Sequence, residues 1–321
     1  MYYRNKGVVL ISVLMIVLLL SSVAVLIGNN YFVSFKRAQY QEFQNTSINI
    51  FRNIESLALR KIDNELRFNT KVHANNNALF INDFIFELNQ GVVTGKISDA
   101  SNCFNINAVV KKVKNDFKPN EKNIEVFKRL MTFNDVDLNL ADEAIDQIID
   151  WIDKDSNPRA YGLEDYYYSG PLNNPKEYTA SRLFYSVAEL KSLPAIKSIG
   201  WEFFDNNFCA LPDNSLAINI NTLKINHDHL FASMFKNMSY IDAQYILDNI
   251  PDEGFKSTSD FKQSFPSYEF DEGIMHIDFS SSSFILFTTF TYDSFSADSN
   301  SRIYYGANKN SYIISRTYNG I

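Results

Sequence analysis

GVVLISVLMIVLLLSSVAVLI, residues 7–27, decides how the rest of this chain is organised. From Val8 to Ile27 it runs 20 residues without a charge, a Gly or a Pro. As a helix rising ~1.5 Å per residue, that stretch is ~30 Å long and matches the hydrocarbon core of a bilayer. Before it lie seven residues, 1–7, with Arg4 and Lys6 and no acid. Two cations on this side hold it in the cytoplasm and direct the remainder outward. The expected product is a membrane-anchored, exported protein.

A cleaved secretory signal has a shorter apolar core followed by a small-x-small site. Here Ser34-Phe35-Lys36-Arg37 is a poor site of that kind, and the small residue in a suggestive place is Gly7, ahead of the apolar run. A short basic leader ending in Gly and leading directly into about 20 apolar residues resembles the type IV prepilin signal, in which a prepilin peptidase would cut between Gly7 and Val8 and leave the helix attached. An ordinary signal anchor with a chance Gly reads the same segment equally well.

The helical pattern continues past the bilayer. Phe35, Ala38, Phe43, Ile50, Ile54, Leu57, Ala58, Ile62 and Leu66 recur at threes and fours, and no Pro occurs between Val8 and Phe68; Gly28 is the single soft point. One helix, half in lipid and half on a head, is expected. Strands are expected at 78–87, 91–97 and 103–107, a long helical tract from Phe117 to Ile152 stopped by Asn157-Pro158, and a short helix at 188–196. Phe104-Asn105-Ile106-Asn107 is echoed by Ile218-Asn219-Ile220-Asn221, each leading into short helices that the Asn can cap. The tail returns to strands at 273–277, 283–291, 301–305 and 312–318.

The chain has 321 residues and a net charge of −7; loss of a leader with Arg4 and Lys6 would leave 28 cations against 37 acids, near −9. Such a balance argues against nucleic acid or anionic lipid as the main partner and for cations or basic protein surfaces. Phe 27 and Tyr 18 favour an aromatic-rich sheet or interface. Cys103 and Cys209 in an oxidising compartment read as one disulfide, worth ~4–5 kcal/mol in the chain-entropy model for a loop of roughly a hundred residues. Two buried thiols are the bland alternative.

The densest chemistry is DWIDKDSNPRAYGLED, residues 150–165. Counting Asp153 as position 1, oxygens fall at Asp155, Asn157 and Glu164 with the spacing of an EF-hand calcium loop. Pro158 stands where that loop needs Gly, and no matching second helix is obvious after Glu164, so a true EF-hand is disfavoured. Calcium in an irregular loop and a solvated acidic helix end both remain open. Asp146, Asp150 and Asp153 share one helical face, which brings Asp150 toward the same place. Paired acids alone do not make a hydrolase, and no nucleophile setting accompanies them; the chain is not expected to be an enzyme. Of His73, His227, His229 and His276, only the pair at 227 and 229 is close, in an arrangement that fits a solvated turn better than a metal site. Helix-hairpin-helix DNA binding is disfavoured because the candidate turns at 133–137 and 235–239 lack Gly and are partly acidic.

Taken in order, the leader ending in Gly7, Asp99-x-x-x-Cys103-Phe104-Asn105-Ile106-Asn107, Asp150-Trp151-Ile152-Asp153-x-Asp155, Gly162-Leu163-Glu164-Asp165-x-x-Tyr168, Glu189-Leu190, Cys209-Ala210-Leu211-Pro212 and Ile218-Asn219-Ile220-Asn221-Thr222-Leu223 resemble the K-type minor pseudopilin family of the type II secretion system. The resemblance implies an α+β fold, a pilin-like long N-terminal helix on an antiparallel sheet with a large inserted α-helical domain. It divides the chain into a prepilin leader (1–7), transmembrane (8–27) and exported (28–68) parts of the helix, a first head part (69–107), the inserted domain (108–214) and a second head part (215–321). It implies cleavage after Gly7, N-methylation of Val8, and a bacterial inner-membrane anchor with a periplasmic head. The implied partners are the I- and J-type minor pseudopilins, prepilin peptidase, the inner-membrane platform and secreted cargo, at the tip of a pseudopilus. It implies calcium held by Asp153, Asp155, Glu164 and Asp165, with Asp150 less firmly placed, and a pairing of the two cysteines. Ser181 stands where the family often has Asn, which removes support for a ligand there. Ser12, the fifth residue counted from Val8, stands where most pilins have a Glu that pairs with a neighbour's amine, and the K-type family lacks that Glu. A carboxylate without a partner in hydrocarbon would cost several kcal/mol. The alternatives are a minor type IV pilin concerned with adhesion or DNA uptake, and an anchored binding protein with an uncleaved leader.

Overall fold

The computed structural model of the chain describes residues 6–68, 72–81, 83–306 and 308–320. In chain order the elements are α1 (Lys6–Phe68), β1 (Phe84–Leu88), β2 (Gly91–Asp99), β3 (Phe104–Asn105), β4 (Val110–Val113), β5 (Asp116–Pro119), α2 (Glu121–Phe133), α3 (Leu138–Ile152), α4 (Asp165–Tyr168), α5 (Pro194–Ile199), α6 (Trp201–Asn207) and β6 (Phe208–Cys209). They continue with β7 (Ile218–Asn219), α7 (Asp228–Met234), α8 (Tyr240–Asp248), α9 (Thr258–Ser264), β8 (Ile277–Asp278), β9 (Ser283–Tyr292), β10 (Phe295–Tyr305) and β11 (Ser311–Asn319).

The α1 helix is one unbroken element of 63 residues, as the lack of Pro predicts. By length and composition its first part is long and apolar enough to cross a bilayer, and its most apolar stretch is wholly exposed. Burial begins at Phe43 and continues through Ser47, Phe51, Ile54, Ala58 and Ile62, a stripe at helical spacing. Phe35 and Leu57, expected on that stripe, are exposed. The stripe lies on an antiparallel sheet ordered β1-β2-β9-β10-β11, against Val93, Ile97, Leu286, Phe290 and Ile303. Phe43 stacks on Phe290 with ring centroids 5.5 Å apart. The buried carboxylate of Glu55 accepts from Ser301 Oγ at 2.6 Å and Arg316 Nε at 2.8 Å, fixing the helix over β10 and β11.

β2 pairs directly with β9, with Asp99 opposite Phe284, so everything between them leaves and re-enters the sheet at one place. That excursion is the helical block. A single apolar core runs through it from Phe104 to Ile277. The division expected between 214 and 215 is therefore not a division of packing: residues 215–277 share the core of 108–214, and the return to the sheet comes at β9. The strand expected at 273–277 is mostly a 3-10 turn, Glu272–His276. The strand expected over 78–87 begins only at Phe84, because Asn77 Oδ1 accepts from Leu79 N at 2.8 Å and curls the chain; residue 82 lies outside the described residues. Phe117, expected in a helix, sits in β5, where Pro119 keeps the preceding residue extended. The tract up to Ile152 is two helices, parted at Asp135 with φ 59°.

The echo between the two Asn-x-Asn phrases is structural. Asn105 Oδ1 accepts from Asn107 N at 3.2 Å, and Asn219 Oδ1 from Asn221 N at 3.1 Å, each opening a 3-10 turn. The second Asn of each phrase clamps a distant backbone. Asn107 receives Phe184 N at 2.8 Å and donates to Phe184 O at 2.9 Å; Asn221 receives Phe255 N at 2.7 Å and donates to Phe255 O at 2.9 Å. Two residues beyond each clamped Phe, a Ser caps a helical turn: Ser186 accepts from Ala188 N and Ser257 from Asp260 N, both at 3.2 Å. Each unit closes through a two-residue parallel ladder, β3 with β6 and β7 with β8. The units meet where Arg129 of α2 donates to Ser233 O of α7 at 2.7 Å.

Candidate functional site

The first unit differs from the second in what joins its helices to the clamped Phe. α3 ends at Ile152, five residues before the expected Asn157-Pro158 stop, and Asp153 is already extended (φ −71°, ψ 177°). The chain then makes a long loop and returns against its own start, where Ala180 N and Ser181 N both donate to Trp151 O at 3.1 Å. Inside the loop, Asp165 Oδ1 accepts from Thr179 N at 2.8 Å and Thr179 Oγ1 at 2.9 Å. Asp146 accepts from Arg159 Nε at 2.6 Å and Tyr161 N at 3.1 Å, pinning the other limb to α3. Asp150 Oδ2 accepts from Arg159 N at 3.0 Å. Gly162 lies so close to that carboxylate that a Cβ there would stand 1.8 Å from Asp150 Oδ2; no other residue fits.

This folding brings Asp153, Asp155 and Glu164 together, one carboxylate oxygen of each within 4.8 Å of the others. Asp153 is 7 % exposed, Glu164 3 % and the adjoining Asp150 0 %. Asp150 Oδ1, Asp153 Oδ1 and Glu164 Oε1 are buried without a hydrogen-bond partner among the described residues. Burial and mutual repulsion raise their pKa values, Asp150 to about 6, Asp153 to about 7 and Glu164 to about 7. Asp155 goes the other way: the Asn157 amide, 3.0 Å from its Oδ1, and Lys118, 3.4 Å from its Oδ2, hold its carboxyl below the usual range. The convergent oxygens of Asp153, Asp155 and Glu164, two of these residues buried and each with an unpartnered oxygen, form a hard-oxygen pocket that suits a divalent cation such as calcium and offers no soft ligand for zinc or copper.

Of the residues expected at a metal, Asp153, Asp155 and Glu164 are brought together and Asp150 faces them. Asp165 stands apart from this group, committed through Oδ1 to Thr179. Asn157 serves as a backbone cap on Asp155. Ser181, with φ 49°, is held by its backbone alone. The reading from spacing missed the Asp146–Arg159 pair and the seat of Gly162. The short glycine interval after Arg159 was the available signal, because a glycine inside an acidic loop marks a close approach.

The remaining residues fall elsewhere. Cys103 and Cys209 are joined as a disulfide with Cα atoms 5.7 Å apart, beside the β3–β6 ladder. His73 is buried, its Nδ1 accepting from Ser281 N at 2.9 Å, and burial lowers its pKa. His227 Nδ1 accepts from Lys224 N at 2.9 Å, whereas His229 packs on Phe133 and Tyr240. In α1, Ser12 Oγ donates to Val8 O at 2.7 Å, so its hydroxyl is satisfied within the helix. Gly7 and Val8 lie in the first turns of α1, and residues 1–5 of the leader lie outside the described residues.

The chain is similar to known proteins. Two sequence profiles described as type II secretion system (T2SS), protein K, match residues 102–213 and 218–269, together just over half of the chain. The putative type II secretion system protein K of Escherichia coli (strain K12) is 26 % identical over 260 residues, 80 % of this chain and 79 % of that one. Type II secretion system protein K of Pectobacterium carotovorum subsp. carotovorum is 32 % identical over 183 residues, 56 % of this chain and 55 % of the relative. The fold is that of a chain in the crystal structure of the GspK-GspI-GspJ complex from the enterotoxigenic Escherichia coli type 2 secretion system, with TM-score 0.75 and 21 % identity over 88 % of this chain and 99 % of that chain. With the long anchor helix, the pilin-like sheet and the two-unit helical block all accounted for, this chain belongs to the type II secretion system protein K family of minor pseudopilins.

Proposed function

We propose that this protein caps the tip of a type II secretion pseudopilus, where it starts assembly with I- and J-type minor pseudopilins and supports export of folded proteins across the outer membrane. The observation that carries the reading is the top of α1. Its apolar run contains no carboxylate, and Ser12 closes its hydroxyl onto Val8 O of its own helix. A subunit built this way asks for no partner above it in the bilayer, whereas a lone carboxylate at that depth would be expensive. Prepilin peptidase cuts between Gly7 and Val8, Val8 is N-methylated, and 8–27 anchors the protein in the inner membrane with its head in the periplasm. The platform and secreted cargo complete the set of partners.

Calcium belongs to the same proposal. Asp153, Asp155 and Glu164 hold it, with Asp150 turned toward it; the ion supplies positive charge that lets these buried carboxyls stay ionised at neutral pH. Asp165 closes the loop through Thr179. The reading needs no catalytic group. Its test is co-purification of the full-length protein, in detergent, with tagged I- and J-type pseudopilins, together with the mature mass of Gly7→Leu. A stable complex and blocked processing are expected. Failure to bind either pseudopilin rejects the tip reading, and an unchanged mature mass rejects the prepilin leader.

A further inference from the structure

A cleft of about 750 Å³ opens between the helical block and the face of the sheet turned away from α1. It is within the size range of binding pockets for small ligands and short peptide segments. Its sheet wall follows from strand alternation. Val93, Ile97, Leu286 and Ile303 point at α1, so Lys96 and Ser98, Ile285 and Phe287, and Arg302 point the other way. Ser98, Ile285 and Arg302 are register neighbours across β2, β9 and β10, and Lys96 stands opposite Phe287. Two inter-strand steps place Lys96 and Arg302 on the order of 10 Å apart on either side of the β9 apolar residues. Lys224 faces them from the helical block, and the Cys103–Cys209 disulfide lines the same wall.

The charges in this cleft are unbalanced. Asp99 is fully engaged: Oδ1 accepts from Ser101 N at 2.8 Å, and Oδ2 from Thr222 Oγ1 at 2.6 Å and Ser281 Oγ at 2.5 Å. Asp205, on the rim, is the opposing charge that acts on Arg302. Elsewhere the arginines 159, 182 and 316 stand in ion pairs. Half-buried Arg302 forms no hydrogen bond or ion pair with any described residue, and burial lowers its pKa. A guanidinium has five donors in a fork shaped for carboxylates, and leaving it desolvated and unmatched is costly.

We infer that this cleft is a docking site for an acidic, extended peptide segment of a partner protein, with Arg302 receiving one carboxylate and Lys96 and Lys224 the flanking ones. In an extended chain, acidic residues three apart are spaced by roughly 10 Å, which matches the separation of Lys96 and Arg302. Ile285 and Phe80 give the segment's aliphatic stems an apolar floor.

The test uses the full-length protein in a non-ionic maltoside detergent and a fluorescently labelled hexaglutamate peptide, followed by anisotropy at low salt. Binding is expected, weakened about tenfold in Arg302→Gln and further in Lys96→Gln/Lys224→Gln, and restored in part by Arg302→Lys. The exposed lysines of β4 serve as the control: Lys111→Gln/Lys112→Gln should leave the affinity unchanged. The Lys96 and Lys224 side chains are solvent-facing, so their loss tests the site even if Arg302→Gln misfolds. Absence of hexaglutamate binding overturns the inference. So does equal weakening by the β4 control, which would mean diffuse attraction, or binding of inorganic phosphate in place of the peptide.

Discussion

The two units of the helical block follow one plan and differ in one connection. In both, an Asn-x-Asn phrase starts a 3-10 turn, a helical pair follows, and the second Asn grips the backbone of a Phe that precedes a Ser-capped turn. In the second unit α8 reaches Phe255 within a few residues through Gly254, whose φ of 71° turns the chain beside Asn221. In the first, about thirty residues intervene between α3 and Phe184 and carry the whole acidic cluster. The comparison teaches that the cluster is an addition to a scaffold that closes without it. Its burden of unpaired buried oxygens is local, and so should be the effect of a cation.

The largest expected effects test the shared plan. Asn107→Ala and Asn221→Ala each strand a buried N–H and C=O of the clamped Phe, at a penalty of about 1–3 kcal/mol per group. Both should lower stability by several kcal/mol in denaturant unfolding; a silent Asn221→Ala would break the equivalence of the units. Next comes the cation. Millimolar calcium should raise the melting temperature by about 5 °C or more, as expected for a tightly bound ion in excess. Asp153→Ala/Asp155→Ala should abolish the rise, and hydrogen exchange should slow in 153–183 while 249–257 is unmoved. Protection spread equally over both units would contradict the local reading. Gly162→Ala should remove calcium binding by pushing on Asp150.

A smaller effect concerns pH in chelator. The raised pKa values mean that the folded state holds more protons than the unfolded chain between about pH 4 and 7, so stability should fall as pH rises through about 7. Asp153→Asn should flatten that slope, and calcium should reverse it by favouring the ionised carboxyls. Smallest is Lys118→Ala. This exposed cation lies 3.4 Å from Asp155 and competes for it, so its removal should tighten calcium binding about two- to threefold in a titration.

Much of this was readable from residues. α1 is legible because no breaker interrupts it and its burial stripe keeps helical spacing, although Leu57 shows that spacing alone misplaces a face by one position. The cluster of Asp153, Asp155 and Glu164 is legible because loop ligands come at intervals. Asp150 was legible too, from the helical face it shares with Asp146 and Asp153, but the closure of the loop was not: Thr179 and the Trp151 carbonyl hold it through contacts that leave no periodic trace. The end of the helical block was misread because the Ile218-Asn219 phrase looks like a return to strands. Its two-residue ladder to Ile277 is parallel and distant, and periodicity cannot register such a pairing.

The direct pairing of β2 with β9 has a temporal consequence. A chain made from its N-terminus delivers Gly91–Asp99 long before Ser283–Tyr292, its neighbour in the sheet. Until the helical block has collapsed and drawn Asp99 and Phe284 together, α1 and the β1–β2 hairpin present Phe43, Phe51, Val93 and Ile97 with no cover. Closing so large a loop is entropically slow unless the intervening residues fold first. The block is thus the clasp on which completion of the pilin-like head waits, and a lesion in its core should show itself as failure of a sheet that it hardly touches.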